Sequence, residues 1–315
     1  MYSLSQLRRG LRRGLSNPTL LAREVNRAYH RRLYTRRYNT AGVDVVAEDW
    51  DTLVVLDACR YDLFAERHTL PGDLSARVSR AAHTSEFLLG NFHERELLDT
   101  VYVTASPILQ RGYDSKYRPT FHAVVNVWEE AGWDDESGTV LPETMVEYAL
   151  EAARDYPQKR LVVHFMQPHY PFIGSELMTE EMSVPDPEQF TTDIWTELMT
   201  GRIRVPTDEV WRAYRDNLDR ALPHVERLLG ELSGKTVVTS DHGNMIGERA
   251  RPIPIREWGH PPGVYTPELT RVPWLEHTAG PRRTIVAEEA EASEESSKNV
   301  TDDVVSDRLR HLGYA

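Results

Sequence analysis

The chain has 315 residues, enough for one large α/β domain or two smaller ones, and its 40% hydrophobic content allows a sizeable core. A formal charge of −12, from 49 acidic and 37 basic residues, argues against nucleic acid as the main partner. The single cysteine, Cys59, excludes an internal disulfide, and no apolar run reaches the length of a membrane-crossing helix.

Lys116, Lys159, Lys235 and Lys298 are the only lysines, so arginine carries nearly all the positive charge. An acid-rich, lysine-poor surface suits high salt and points to a halophilic source such as an archaeon. An ordinary acidic protein from a GC-rich genome has the same bias. The first thirty residues lack the apolar core of a signal peptide, so the expected location is cytoplasmic.

Four segments are expected. Residues 1–45 form a basic, amphipathic N-terminal segment, with Leu4, Leu7, Leu11 and Leu15, then Leu21, Val25, Ala28 and Tyr29, at helical spacing. Glu24 is the only acid among residues 7–39. Two readings stay open here: contact with an anionic membrane surface, or a helix whose arginines pair with acidic groups on the domain.

Residues 46–283 form the main globular domain. "DTLVVLDA" (51–58) is a short apolar run of the kind a parallel strand shows when both faces are buried. Runs at 100–105, 121–128, 160–166 and 235–241 repeat it. Helical patterns lie between them, at 142–155 after Pro142 and at 208–232. This alternation predicts a doubly wound, mostly parallel α/β sheet between helices. Residues 170–207 are an excursion rich in Pro, Thr and Met that reads as a lid. Residues 284–300 are acidic and too polar to pack, and 301–315 form a terminal helix.

Three places carry chemistry. The first strand ends at Asp57, where a carboxylate directly after apolar residues is costly unless paired or metal-bound. Asp57 also reads as the N-cap of a helix starting near Ala58. A later strand ends in Asp241-His242, within "SDHGNMIGE" (240–248). Strand ends of a parallel sheet share one edge, so Asp57, Asp241 and His242 together would offer an O, O, N ligand set. Thr84, in "SRAAHTSEFLLGNF" (79–92), opens a helix, where backbone N–H groups and the helix dipole favour an anion. It reads either as an ordinary cap or as a nucleophile.

The order of these motifs, with "HFMQPHYPF" (164–172) and "GHPPGVYTPELTRVPW" (259–274) between and after them, resembles the alkaline phosphatase superfamily. The likeness is to its sulfatase-like branch, which includes sulfatases and phosphoglycerol and phosphoethanolamine transferases. It covers roughly residues 50–280, and "LRHLGYA" (309–315) is similar to the ends of many such chains. The resemblance implies a hydrolase or transferase acting on phosphoesters, and less readily on sulfoesters. Asp57, Asp241 and His242 become ligands of one divalent ion (Mn²⁺, Zn²⁺ or Ca²⁺), with a second ion left open. Thr84 becomes the nucleophile of a covalent intermediate. His169 would touch the transferred group or move a proton, and His260 would be a second-metal ligand or a substrate contact. Arg60 is a candidate substrate contact, although an ordinary i, i+2 surface pair with Asp62 is the preferred reading.

Classical sulfatases convert the Cys of a C-x-P-x-R motif, which this chain lacks, so Cys59 reads as a small buried residue and His164 as structural. A lipid-linked or surface-glycan substrate would suit the basic N-terminus. A phosphomutase of the same superfamily and a non-catalytic, membrane-peripheral binding protein are the alternatives.

Overall fold

A computed structural model describes residues 17–129, 131–175, 177, 194–288 and 302–314. The eleven strands among these residues are β1 (Thr52–Leu56), β2 (Asp73–Val78), β3 (Glu96–Thr104), β4 (Thr120–Asn126), β5 (Trp133–Asp134), β6 (Thr139–Val140), β7 (Arg160–Phe165), β8 (Gly234–Thr239), β9 (Met245–Arg249), β10 (Arg256–Gly259) and β11 (Arg271–Ala279). Seven form one sheet in the order β2-β11-β8-β1-β7-β3-β4. All of them point the same way except β11, which runs against both of its neighbours, β2 and β8. The expected α/β architecture is present, with one antiparallel strand inserted.

β1 lies at the centre. Its Leu53, Val54, Val55 and Leu56 are completely buried, as a strand covered on both faces requires. Each apolar run read from the sequence overlaps an observed strand, and the helix expected at 142–155 is Pro142–Asp155. β2 lay outside that reading. It is an edge strand with half-exposed Ser75, Ala76 and Arg77, so it carries no continuous apolar signal.

The described helices are α1 (Pro18–His30), α2 (Tyr61–Arg67), α3 (Thr84–Phe92), α4 (Ile108–Gly112), α5 (Pro142–Asp155), α6 (Ile194–Thr200), α7 (Thr207–Glu231), α8 (Pro267–Thr270) and α9 (Asp302–His311). The long α7 buries Val210, Tyr214, Leu218, Leu222, Val225 and Leu228 along one face and packs on α5. Much of the expected lid (residues 176 and 178–193) and most of the acidic segment (residues 289–301) lie outside the described residues, as do residues 1–16.

α1 sits on the domain with its polar side inward. Arg23 forks onto the buried Glu257 at 3.0–3.1 Å and reaches Thr196 at 3.1 Å. Asn26 exchanges two hydrogen bonds with the backbone of Ile253. Arg27 donates to the carbonyl of Pro262 at 2.7 Å, and Arg31 pairs with Glu86. The opposite stripe is apolar and open: Leu21, Val25 and Tyr29 are 40%, 51% and 64% exposed. No helix among the described residues is long and apolar enough to cross a membrane.

Candidate metal and transfer site

The carboxyl edge at β1 and β8 brings together the residues singled out in the sequence. After Leu56 the chain turns sharply, and Ala58 takes a left-handed conformation (φ 59°) that a residue with a Cβ adopts only when its surroundings enforce it. Tyr214 donates to the Ala58 carbonyl, and the Ala58 N–H donates to Asp241 Oδ1 at 3.0 Å. Asp57 therefore caps no helix, since α2 starts only at Tyr61. Its backbone stays in the sheet, with its N–H donating to the Phe165 carbonyl at 3.2 Å.

The loop after β8 is equally constrained. Asp241 Oδ1 accepts the His242 N–H at 2.8 Å, and Ser240 Oγ accepts the Cys59 N–H at 2.9 Å, which ties the two strand ends together. Gly243 has no room for a side chain, because a Cβ there would lie 2.0 Å from the Glu268 carbonyl oxygen. His242 donates Nδ1–H to the Gly243 carbonyl at 2.7 Å, which leaves Nε2 as a lone pair aimed at the carboxylates.

Asp57, Asp241 and His242 are all fully buried, and their ligand atoms lie within 4.8 Å of one another. Asp57 Oδ1 and Asp241 Oδ2 each lack a hydrogen-bond partner. Burial, and then the charge of Asp241, push the Asp57 carboxyl well above the usual carboxylate range. Two facing carboxylates with unpaired oxygens and an imidazole lone pair suit a divalent cation, so the residues present fit a metal. Cys59 is buried too, with its thiol pushed up by burial, which makes it a poor nucleophile.

Thr84 is the first residue of α3. The cap is His83, whose Nδ1 accepts the Ser85 N–H at 3.0 Å, so the capping role open to Thr84 falls to its neighbour. The Thr84 hydroxyl instead lies 3.3 Å from Asp57 Oδ2, 3.3 Å from His242 Nε2 and 3.2 Å from the Tyr314 hydroxyl.

His169 and His260 meet beside this cluster, with their Nε2 atoms 2.8 Å apart. His169 gives Nδ1–H to the Tyr170 carbonyl, so its Nε2 accepts from His260, and His260 Nδ1 is left unpaired. Burial lowers His169 to about 4 and takes His260 well below the ordinary histidine value. The loop carrying His169 is held by Asn217 of α7, whose amide donates to the carbonyls of Pro168, His169 and Pro171 at 2.9–3.2 Å. His260 follows Gly259 (φ 70°), where a Cβ would strike the Trp195 ring.

Arg60 stands apart from these contacts. Its guanidinium is taken up by Asp62 and Glu248 and stacks on Trp211 at 4.7 Å, which braces the loop after β8 from behind.

Three participants were not singled out in the sequence. His164, read as structural, accepts from or donates to the Tyr102 hydroxyl at 2.8 Å. Its unpaired Nε2 faces Asp57 and Asp241 at 3.8 and 3.9 Å. A histidine among the apolar residues of β7 was the available signal. His83 and Tyr314 complete a cage of rings, with His83 centred 5.2 Å from His260 and 5.4 Å from Tyr314. Beside the cage lies a cavity of about 230 Å³, lined among others by Arg23, Arg27, Trp195, Trp258, His260 and Tyr314.

No family model and no curated protein matches the chain. Solved structures do. The soluble domain of lipooligosaccharide phosphoethanolamine transferase A from Neisseria meningitidis is 13% identical, with 72% of this chain and 75% of that one covered and a TM-score of 0.46. The periplasmic domain of EptC from Escherichia coli, in complex with Zn, is 13% identical over 74% of this chain and 75% of that one, with a TM-score of 0.45. A 2-O GAG sulfatase is 11% identical over 76% of this chain and 65% of that one, with a TM-score of 0.46. These values mark distant likenesses.

Proposed function

We propose that the chain is a metal-dependent enzyme that transfers or hydrolyses phosphoesters through a covalent intermediate on Thr84. One observation carries the reading: a buried hydroxyl at a helix N-terminus lies 3.3 Å from both a carboxylate and an imidazole of a cation-ready cluster. The metal ligands would be Asp57, Asp241 and His242. A divalent ion held there supplies positive charge that offsets the phosphoryl oxygens and acidifies a neighbouring hydroxyl.

The chain's own residues supply the rest. Thr84 Oγ1 attacks phosphorus, the Oγ1–P bond forms, and the bond from phosphorus to the leaving oxygen breaks. The proton shed by Thr84 passes to the neutral His169–His260 pair and from there to the leaving oxygen, whose departure as an alcohol balances the step. Water or an acceptor alcohol then enters by the reverse route. Phosphoesters are favoured over sulfoesters because the nucleophile is a threonine and Cys59 is buried outside any C-x-P-x-R motif.

The test is a quench of the Zn²⁺- or Mn²⁺-loaded chain during turnover of bis(4-nitrophenyl) phosphate, followed by peptide mass spectrometry. A phosphoryl adduct on the peptide containing Thr84, absent from Thr84→Ala, is expected. Turnover that survives in Thr84→Ala would overturn the reading.

The open stripe Leu21, Val25 and Tyr29 of α1, with exposed Arg32 and Arg37 just beyond it, favours one extension. In this reading α1 lies on an anionic lipid surface and the substrate is lipid-linked. Replacing Leu21, Val25 and Tyr29 by Ser should abolish co-sedimentation with phosphatidylglycerol vesicles, and undiminished sedimentation would remove the idea.

A further inference from the structure

We propose that Tyr314 is a catalytic residue whose phenol donates a hydrogen bond to the phosphoryl group as it is transferred to Thr84. This rests on the phosphoester reading above. Of the three side chains bonded to Thr84 Oγ1, Asp57 and His242 belong to the cation-ready cluster, and His242 has already given its Nδ1–H to the Gly243 carbonyl. The Tyr314 hydroxyl is the remaining partner; it also bonds Asp57, and its single hydrogen turns to the phosphoryl oxygen when the Asp57 carboxylate is taken up by the cation. Among the described residues no arginine or lysine hydrogen-bonds Thr84, Asp57 or Asp241; Arg23 and Arg27 line the adjoining cavity instead. An oxygen placed 3.2 Å from the attacking atom is within reach of a non-bridging oxygen on a phosphorus bonded to that atom.

The phenol is held in place before any substrate arrives. Leu309 and Leu312 bury the end of α9 in the core, and Gly313 (φ 78°) reverses the chain so that the next residue turns back toward the sheet edge. The Tyr314 N–H closes this turn on the Leu309 carbonyl at 2.8 Å. Its ring stacks on His169 (centroids 5.0 Å apart, planes 13° apart) and meets His83 edge-on. Tyr314 is also the residue that both lines the adjoining cavity and bonds Thr84. A phenylalanine would keep the stacking, so the hydroxyl can be tested separately from the ring.

The experiment compares the wild-type full chain with Tyr314→Phe, both loaded with Zn²⁺, by calorimetric titration with orthovanadate. Vanadate takes up the five-coordinate shape of the phosphoryl transition state. The expected result is vanadate affinity lower by about 10- to 100-fold in Tyr314→Phe, the range for a hydrogen bond to a charged group. Zinc stoichiometry and the thermal midpoint should stay unchanged, and kcat should fall in parallel while KM holds. Equal affinities, or tighter binding by Tyr314→Phe, would overturn the role of the phenol and leave the Thr84 reading standing. If neither protein binds vanadate, both fall together.

Discussion

The molecule buries acidic side chains in two neighbouring places and treats them in opposite ways. Glu257 is completely buried and fully paired, with Arg23 forked across both of its oxygens. Asp57 and Asp241 are equally buried, yet each keeps an unpaired oxygen and the groups facing them are imidazoles and a hydroxyl. A buried carboxylate without a cation is strongly unfavourable. The first arrangement therefore meets its charge with the protein's own residues and anchors α1, whereas the second leaves room for a cation from outside. Burial alone does not separate the two kinds of acid; the unpaired ligand atoms of Asp57 and Asp241 do.

The strongest way to break the contrast is to remove one member of each set. Asp241→Ala should lose the bound divalent ion in elemental mass spectrometry and lose phosphodiester turnover by about 1,000-fold or more, while keeping its fold. Retained metal would show that the cluster is not the ion's site. Arg23→Ala should do the reverse. It strands Glu257 and lowers unfolding free energy by about 3–5 kcal/mol in urea titration, with metal stoichiometry unchanged.

A smaller effect comes from pH. Burial holds His164 and His169 at about 4, below the 6.5 of an unfolded chain. Between those values the unfolded state binds more protons, so this contribution is complete above pH 6.5 and is lost as pH falls toward 4. Each histidine is worth up to about 3 kcal/mol on this account. The unfolding free energy of His169→Gln should therefore fall less between pH 7 and pH 4.5 than that of wild type, and parallel curves would count against it.

The smallest effect sharpens the comparison most. Asp57→Asn removes one of two facing carboxyl groups, whose burial and mutual repulsion raise Asp57, and should stabilise the metal-free protein. Glu257→Gln, which removes a paired charge, should destabilise it. Opposite signs in thermal unfolding are expected, and matching signs would erase the distinction between the two acids.

Much of the sheet could be read along the chain, because a buried parallel strand is a short local run of apolar residues and β1, β7 and β8 each show one. The same locality exposed Asp57, Asp241 and His242, since polar residues stand out directly after such runs. Tyr314 and His83 gave no such signal: one follows a short polar helix, and the other resembles an ordinary cap. His164 was visible but ambiguous, because a histidine inside a strand serves the core as readily as a site. For α1 the sequence left two readings open, and the structure shows the one in which its arginines pair with acidic groups on the domain. Glu257, Glu86 and the Pro262 carbonyl make the arginine side the one that docks, a choice that rests on partners distant in sequence.

The sequence by itself determined the alternation of strands and helices, the residue types that end β1 and β8, and the absence of a sulfatase cysteine motif, all of them local properties of the chain. Tertiary structure decided that β8 lies beside β1, that Asp57, Thr84, Asp241 and Tyr314 meet within hydrogen-bonding reach, and which side of α1 faces inward. Those contacts join residues up to 257 positions apart, counting from Asp57 to Tyr314. They depend on strand order and on turns such as those at Ala58 and Gly313, which no local pattern encodes.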